Sequence, residues 1–135
     1  RLINQKIMSY VLANKERAVF FPTLGATAYL TALSLVDLVI GNSSSGIIEA
    51  PSFKTPTINI GDRQKGRIQA STVINTPSEA KAIKNAIKQG LEMIQDKSVL
   101  KSKNPYEGHQ PSRLILNSLL SNSLDNLLFK TFSDV

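Results

Sequence analysis

Residues 38–67 read LVIGNSSSGIIEAPSFKTPTINIGDRQKGR, and this stretch decides the fold. Leu38, Val39 and Ile40 form a short, continuously apolar run of strand length, stopped at Gly41. Small residues follow: Asn42, Ser43, Ser44, Ser45 and Gly46. The pattern then predicts a short helix that begins near Ser45 and carries Ile47 and Ile48. Thr57, Ile58, Asn59 and Ile60 make the next strand, closed by Gly61 and Asp62. Strand, small-residue loop, helix and strand in this order predict a parallel sheet with helices on both faces.

The same alternation continues outward. Upstream, Ile3, Ile7, Tyr10 and Val11 recur at helical spacing, so residues 2–13 read as an amphipathic helix. Residues 18–21 read as a short buried strand stopped by Pro22. Thr27 is the expected N-cap of a helix through Leu35. Downstream, Val73 and Ile74 make a weaker strand. A long helix begins near Ser78 and Glu79, with Ala82, Ile83, Ala86, Ile87, Leu91 and Ile94 on one side. Lys81, Lys84 and Lys88 lie on its other side as a solvated face. A last helix is expected over residues 111–128, apolar over a wide arc. Residues 1–128 are expected to form one Rossmann-like domain, with its first strand missing before Arg1, and residues 129–135 a frayed tail.

Composition narrows the function. The chain has 135 residues, the size of one domain with a real core. It has no cysteine, which excludes disulfide scaffolds, zinc–thiolate sites and thiol nucleophiles. A single histidine, His109, excludes a histidine-rich metal centre. No apolar run reaches the ~18 residues of a membrane span. The net charge of +6 points to an anionic partner, although part of it is the lysine face of the long helix. No motif with interleaved aromatics favours nucleic acid.

The chemistry gathers at the strand ends. In an open α/β sheet, ligands bind at the carboxyl ends of the strands. Unpaired N–H groups at the start of the helix near Ser45 suit a phosphate, and Ser43, Ser44 and Ser45 add hydroxyl donors. Gly46 allows a close backbone approach. The alternative is a plain capping cluster. Glu49, one turn on, can accept hydrogen bonds from a ribose diol or can complement the helix N-terminus. Arg63 is placed to reach a diphosphate or to clamp the loop. Lys65 and Arg67 either serve the same ligand or face solvent. The segment is neither a Walker A loop nor a GxGxxG turn.

Residues 41–50 (GNSSSGIIEA) and 55–67 (TPTINIGDRQKGR) closely resemble the hydrolysing UDP-N-acetylglucosamine 2-epimerases of sialic-acid and related surface-sugar pathways. Leu24-Gly25, Val36-Asp37 and Asn104-Pro105-Tyr106-Glu107-Gly108 extend the likeness to about Leu120. The resemblance implies the C-terminal half of a GT-B fold, two Rossmann-like domains facing across a cleft. It implies that Ser43 and Ser44 hold the UDP diphosphate, that Ser45 and Gly46 shape the loop, that Glu49 binds the uridine ribose, and that Arg63 reaches the nucleotide. Arg67 is carried as a further substrate-binding candidate. Tyr106 and Gly108 fall in a motif expected to be a structural hinge. His109 departs from the family's pattern.

The implied reaction eliminates UDP to form 2-acetamidoglucal, then adds water to give N-acetylmannosamine. It needs an acid and a base, and stabilisation of the leaving UDP. The resemblance places the acid–base carboxylates and a histidine before Arg1, so no catalytic residue is expected in this chain and it is expected not to epimerise alone. It implies no cofactor and no metal. Expected partners are a UDP-sugar, the N-terminal domain of the same enzyme and further copies in a homo-oligomer, in the cytoplasm, without nucleic acid or membrane. A non-catalytic UDP-sugar-binding module, half of a GT-B glycosyltransferase and a basic nucleic-acid-binding domain are the competing readings.

Overall fold

A computed structural model describes residues 2–108 and 110–123. Its centre is a parallel three-stranded sheet in the order β1 (Val39–Gly41), β2 (Thr57–Ile60), β3 (Val73–Thr76). Ile40 pairs with Ile58 and Ile58 with Ile74, which aligns the three carboxyl ends at Gly41, Ile60 and Thr76. The helices are α1 (Leu2–Ala13), α2 (Gly25–Leu35), α3 (Ser45–Ile48), α4 (Ala80–Gln95) and α5 (Pro111–Ser121).

Strand alternation puts Thr57 and Ile58 on opposite faces of β2. Two glycines show what covers each face. A Cβ on Gly46 of α3 would lie 2.6 Å from Thr57 Cγ2, so α3 packs tightly on one face. A Cβ on Gly90 of α4 would lie 2.7 Å from Leu38 Cδ2 and 3.3 Å from Ile58 Cδ1, so α4 covers the other. The expected α/β, Rossmann-like arrangement with helices on both faces is present. Leu33, Ile47, Ala50, Ile58, Ala70, Ala86 and Val99 form the apolar core.

Thr55 joins the α2 layer to this core, its buried hydroxyl donating to the Leu33 carbonyl at 2.7 Å. The face of α4 that carries Lys81, Lys84 and Lys88 is solvated as expected. Among the described residues no helix is long and apolar enough to cross a membrane.

Several expectations need correction. Residues 18–21 form no strand. The Ala18 N–H is bound by the Asn14 carbonyl at 2.9 Å, and Pro22 has no N–H, so few donors are left for a ladder. Val19 and Phe21 are exposed rather than buried. β1 is an edge strand, with Ile40 half exposed. Helix α2 starts at Gly25, two residues before Thr27; the Thr23 hydroxyl accepts from the Gly25 N–H at 3.3 Å, and Thr27 lies inside the helix.

The short helix after the serines ends at Ile48. A separate 3-10 turn, Ala50–Phe53, follows, because Pro51 cannot donate to a continuing α ladder. The long helix begins at Ala80. α1 and α5 bury no residue at all, so their apolar stripes face solvent. α5 ends at Ser121, where Asn122 turns extended; Leu124, Leu127, the 129–135 tail and His109 lie outside the described residues.

Candidate nucleotide site

The loop 41–46 leaves β1 and turns directly into α3. Ser44 is the N-cap residue with φ −61° and ψ −25°, and its carbonyl accepts from Ile47 and Ile48 at 3.0 and 2.9 Å. Its hydroxyl makes no capping bond. Ser43 is exposed and folds back along the loop: its Oγ accepts from the Ser45 N–H at 3.4 Å, and its carbonyl from Gly46 at 3.3 Å. The Ser45 hydroxyl is bonded to the Tyr29 hydroxyl, which ties α2 to the start of α3. One serine therefore anchors the loop, one links it to α2, and Ser44 keeps an unspent hydroxyl.

Two sequence arguments change here. α3 has four residues, too short for a developed macrodipole; the attraction for an anion rests on local N–H and hydroxyl donors. Gly46 is buried against Thr57, so its missing Cβ serves packing between α3 and β2 rather than open approach from solvent.

Glu49 caps the C-terminal end of α3, its N–H held by the Ser45 carbonyl at 2.9 Å. A carboxylate at that end cannot complement the N-terminus of α3. Glu49 is also the N-cap residue of the 3-10 turn that follows, but its carboxylate makes no capping bond there. Its side chain is exposed, about 6 Å of helix rise beyond Ser45.

The cation loop 61–67 leaves β2 one strand away. The Gly61 N–H bonds to the Thr76 carbonyl at 2.8 Å, and Gly61 and Gly66 take positive φ values of 75° and 84° that glycine adopts without strain. Arg63, Lys65 and Arg67 are exposed. Between them Gln64 is 3% exposed, and its Nε2 donates to the Asn42 carbonyl at 2.8 Å. Sequence reading missed this residue, because a glutamine among cations carries no apolar pattern.

Two hollows flank these loops. One, of about 600 Å³, lies between the cation loop and the end of β3, and includes Asp62, Lys65, Arg67, Asn75 and Ser78. Asn59, Asn75 and Gln69 line it too, but their amides bond one another at 2.7 Å (Asn59 to Asn75) and 2.7 Å (Asn75 to Gln69). The other, about 560 Å³, includes Phe21, Pro22, Thr23 and Tyr29 at the start of α2. Arg67 thus belongs to the β3 side, whereas Tyr29 and Ser45 connect the opposite hollow to the serine loop.

Asn104 explains the 104–108 motif. It is buried, and its Nδ2 donates to the Ile48 carbonyl at 2.8 Å and the Ser52 hydroxyl at 2.7 Å, while its Oδ1 accepts from the Tyr106 N–H at 3.0 Å. The Lys54 ammonium donates to the Ser102 carbonyl at 2.6 Å. This strap holds the end of α3, beside Glu49, in place.

The loops, α3 and the strap all fall in one region of likeness to known proteins. A family model described as UDP-N-acetylglucosamine 2-epimerase matches residues 3–120. The chain belongs to the UDP-N-acetylglucosamine 2-epimerase family. It is 43% identical over 139 aligned residues to a GDP/UDP-N,N'-diacetylbacillosamine 2-epimerase (hydrolyzing) of Campylobacter jejuni, covering 99% of this chain and 35% of that protein. It is 41% identical to polysialic acid biosynthesis protein P7 of Escherichia coli, over 78% of this chain and 26% of that one. A UDP-N-acetylglucosamine 2-epimerase of Neisseria meningitidis is 33% identical over 67% of the chain and 23% of its own length. The chain thus spans about a third or less of these curated relatives. Every epimerase-family motif residue from Gly41 to Arg67 lies within the described structure.

Proposed function

We propose that this chain is the UDP-binding half of a hydrolysing UDP-N-acetylglucosamine 2-epimerase, with a GT-B partner domain facing the carboxyl edge of its sheet. The observation that carries this is the exposed Glu49 carboxylate, which makes no capping bond to either neighbouring turn and lies one helical turn beyond Ser45, itself next to the unspent Ser44 hydroxyl. That spacing suits a nucleoside diphosphate: phosphates at Ser43 and Ser44, ribose diol at Glu49. The hollow with Phe21 and Tyr29 offers ring surface for the base. Arg63 faces solvent from the adjacent loop, where a guanidinium can neutralise phosphate charge.

In the reaction, these groups hold UDP and stabilise the charge it gains on leaving. Proton transfer at C2 and addition of water fall to groups supplied by the partner domain. The complete enzyme works as a cytoplasmic homo-oligomer and releases N-acetylmannosamine. A second reading concerns the sugar alone. Two relatives are named for N,N'-diacetylbacillosamine nucleotides, which makes a 2,4-diacetamido sugar the alternative substrate. The nucleotide half of the site is common to both.

Calorimetric titration of the chain with UDP tests this. Glu49→Ala and Arg63→Ala are each expected to weaken binding about tenfold or more, the loss of one charge-assisted contact. Unchanged affinity in both variants would remove the site. Release of UDP from UDP-N-acetylglucosamine by the 135-residue chain alone would show that acid–base groups had been overlooked within it.

A further inference from the structure

Gln64 has an environment unlike that of its neighbours. Arg63 and Lys65 are exposed on either side, and Gln64 is 3% exposed between them. Its Nε2 donates at 2.8 Å to the carbonyl of Asn42, 22 residues earlier, in the serine loop. Among the described residues this is the hydrogen bond that joins the two loops. Its Oε1 is buried without a partner. The opposite amide orientation would set that oxygen against the Asn42 carbonyl, so the orientation that donates is the sound one.

A buried acceptor without a donor is destabilising. For packing alone, an apolar side chain of the same length would serve better. The amide therefore does something that packing does not require. The turn around it is closed by Lys65 N–H to the Asp62 carbonyl at 3.0 Å and Arg67 N–H to the Gln64 carbonyl at 3.2 Å. With Gln64 pegged inward at the centre of that turn, Arg63 is directed outward.

We propose that Gln64 is a positioning residue, pinning the cation loop to the serine loop so that one diphosphate meets Ser43, Ser44 and Arg63 together. This rests on the UDP reading above. Gln64 itself touches no ligand; it acts through Asn42 and Arg63. The pinning matters for the diphosphate and not for the nucleoside, whose proposed contacts lie in the hollow of Phe21 and Tyr29 and at Glu49.

The test is titration of wild type, Gln64→Met and Gln64→Glu with UDP and with uridine, followed by calorimetry or ligand-observed NMR, and a thermal melt of each protein. Gln64→Met keeps the length and removes the donor; Gln64→Glu keeps the shape and sets a carboxylate against a carbonyl. Both are expected to weaken UDP about tenfold and to leave uridine affinity within about twofold. Gln64→Met is expected to melt no lower than wild type. Unchanged UDP affinity in both variants, with wild type binding UDP, overturns the pinning role and leaves the nucleotide reading intact. Equal losses for UDP and uridine, with a lowered melt, reduce Gln64 to a structural residue and also overturn it. Failure of wild type to bind UDP overturns the nucleotide reading, and the pinning role with it.

Discussion

Gly46 and Gly90 offer a matched pair of substitutions whose outcomes should differ. Each sits in a helix packed on one face of β2, and each would place an alanine Cβ too close to a neighbour. At Gly46 the obstruction is Thr57 Cγ2 at 2.6 Å, with Thr57 Oγ1 at 3.3 Å. That methyl is fixed one bond from the Cβ of a β-branched residue, on a strand paired on both sides, so it cannot swing away. Relief requires moving α3 off the sheet. Overpacking of this kind costs about 1–3 kcal/mol, offset by up to about 1 kcal/mol of helix propensity gained from Gly to Ala.

At Gly90 the close atom is Leu38 Cδ2, the far end of a flexible side chain, and the 16-residue α4 gains the full propensity benefit. Gly46→Ala should therefore lose about 1–2 kcal/mol, roughly 4–7 °C in a thermal melt followed by circular dichroism. Gly90→Ala should stay within about 1 kcal/mol of wild type. Adding Thr57→Ser to Gly46→Ala removes the obstructing methyl and should recover part of the loss. A Gly46→Ala protein that melts with or above wild type would refute the packing argument. So would Gly90→Ala proving the worse of the two.

Other substitutions test the strap and the local electrostatics. Asn104→Ala strands the Ile48 carbonyl and the Tyr106 N–H, and should cost about 2–3 kcal/mol in urea unfolding. Thr55→Val leaves the buried Leu33 carbonyl without the Thr55 hydroxyl and should cost about 1–2 kcal/mol by the same measurement. The Asp96 carboxyl is held below the usual carboxylate range by the nearby Ser98 hydroxyl and by the Ser98 N–H, which donates to its Oδ1 at 2.8 Å. Its contribution is therefore present above the ordinary carboxylate pKa of about 4 and is lost as pH falls through the lowered folded value. Ser98→Ala should raise the Asp96 titration midpoint in a carboxyl NMR experiment, and no change would remove the side-chain bond as its main cause.

Much of the fold was legible because it was local. The apolar runs at residues 38–40 and 57–60 and the periodicity of α4 each depend on a few neighbouring residues, and all three elements stand within two residues of where the pattern put them. The strand expected at residues 18–21 failed because a strand needs a partner, and composition does not reveal whether one is present. The apolar stripes of α1 and α5 are exposed for a related reason: among the described residues nothing covers them. At the site, the residue types of the serine loop and Glu49 were compatible with phosphate and ribose by position, beside plain capping roles, and the resemblance chose between them. Tyr29, Gln64 and Asn104 were not legible in the same way. Each acts through one hydrogen bond or a few to an element 16 to 56 residues away, and nothing in its own neighbourhood names that partner.

The strap also sets the order in which the molecule can come together. Its bonds close loops of 48, 52 and 56 residues, far longer than those within the 38–67 unit. Such closures are entropically costly and form late in folding. During synthesis the serine loop, α3 and the cation loop emerge first, yet the end of α3 waits for Ser102 and Asn104 before it is fixed. A peptide ending near residue 67 would contain every candidate contact residue and still present Glu49 on an unanchored turn. The smallest transplantable cradle thus extends through Tyr106, and a ligand that grips Glu49 should protect the amides around Asn104 from hydrogen exchange across the intervening sequence.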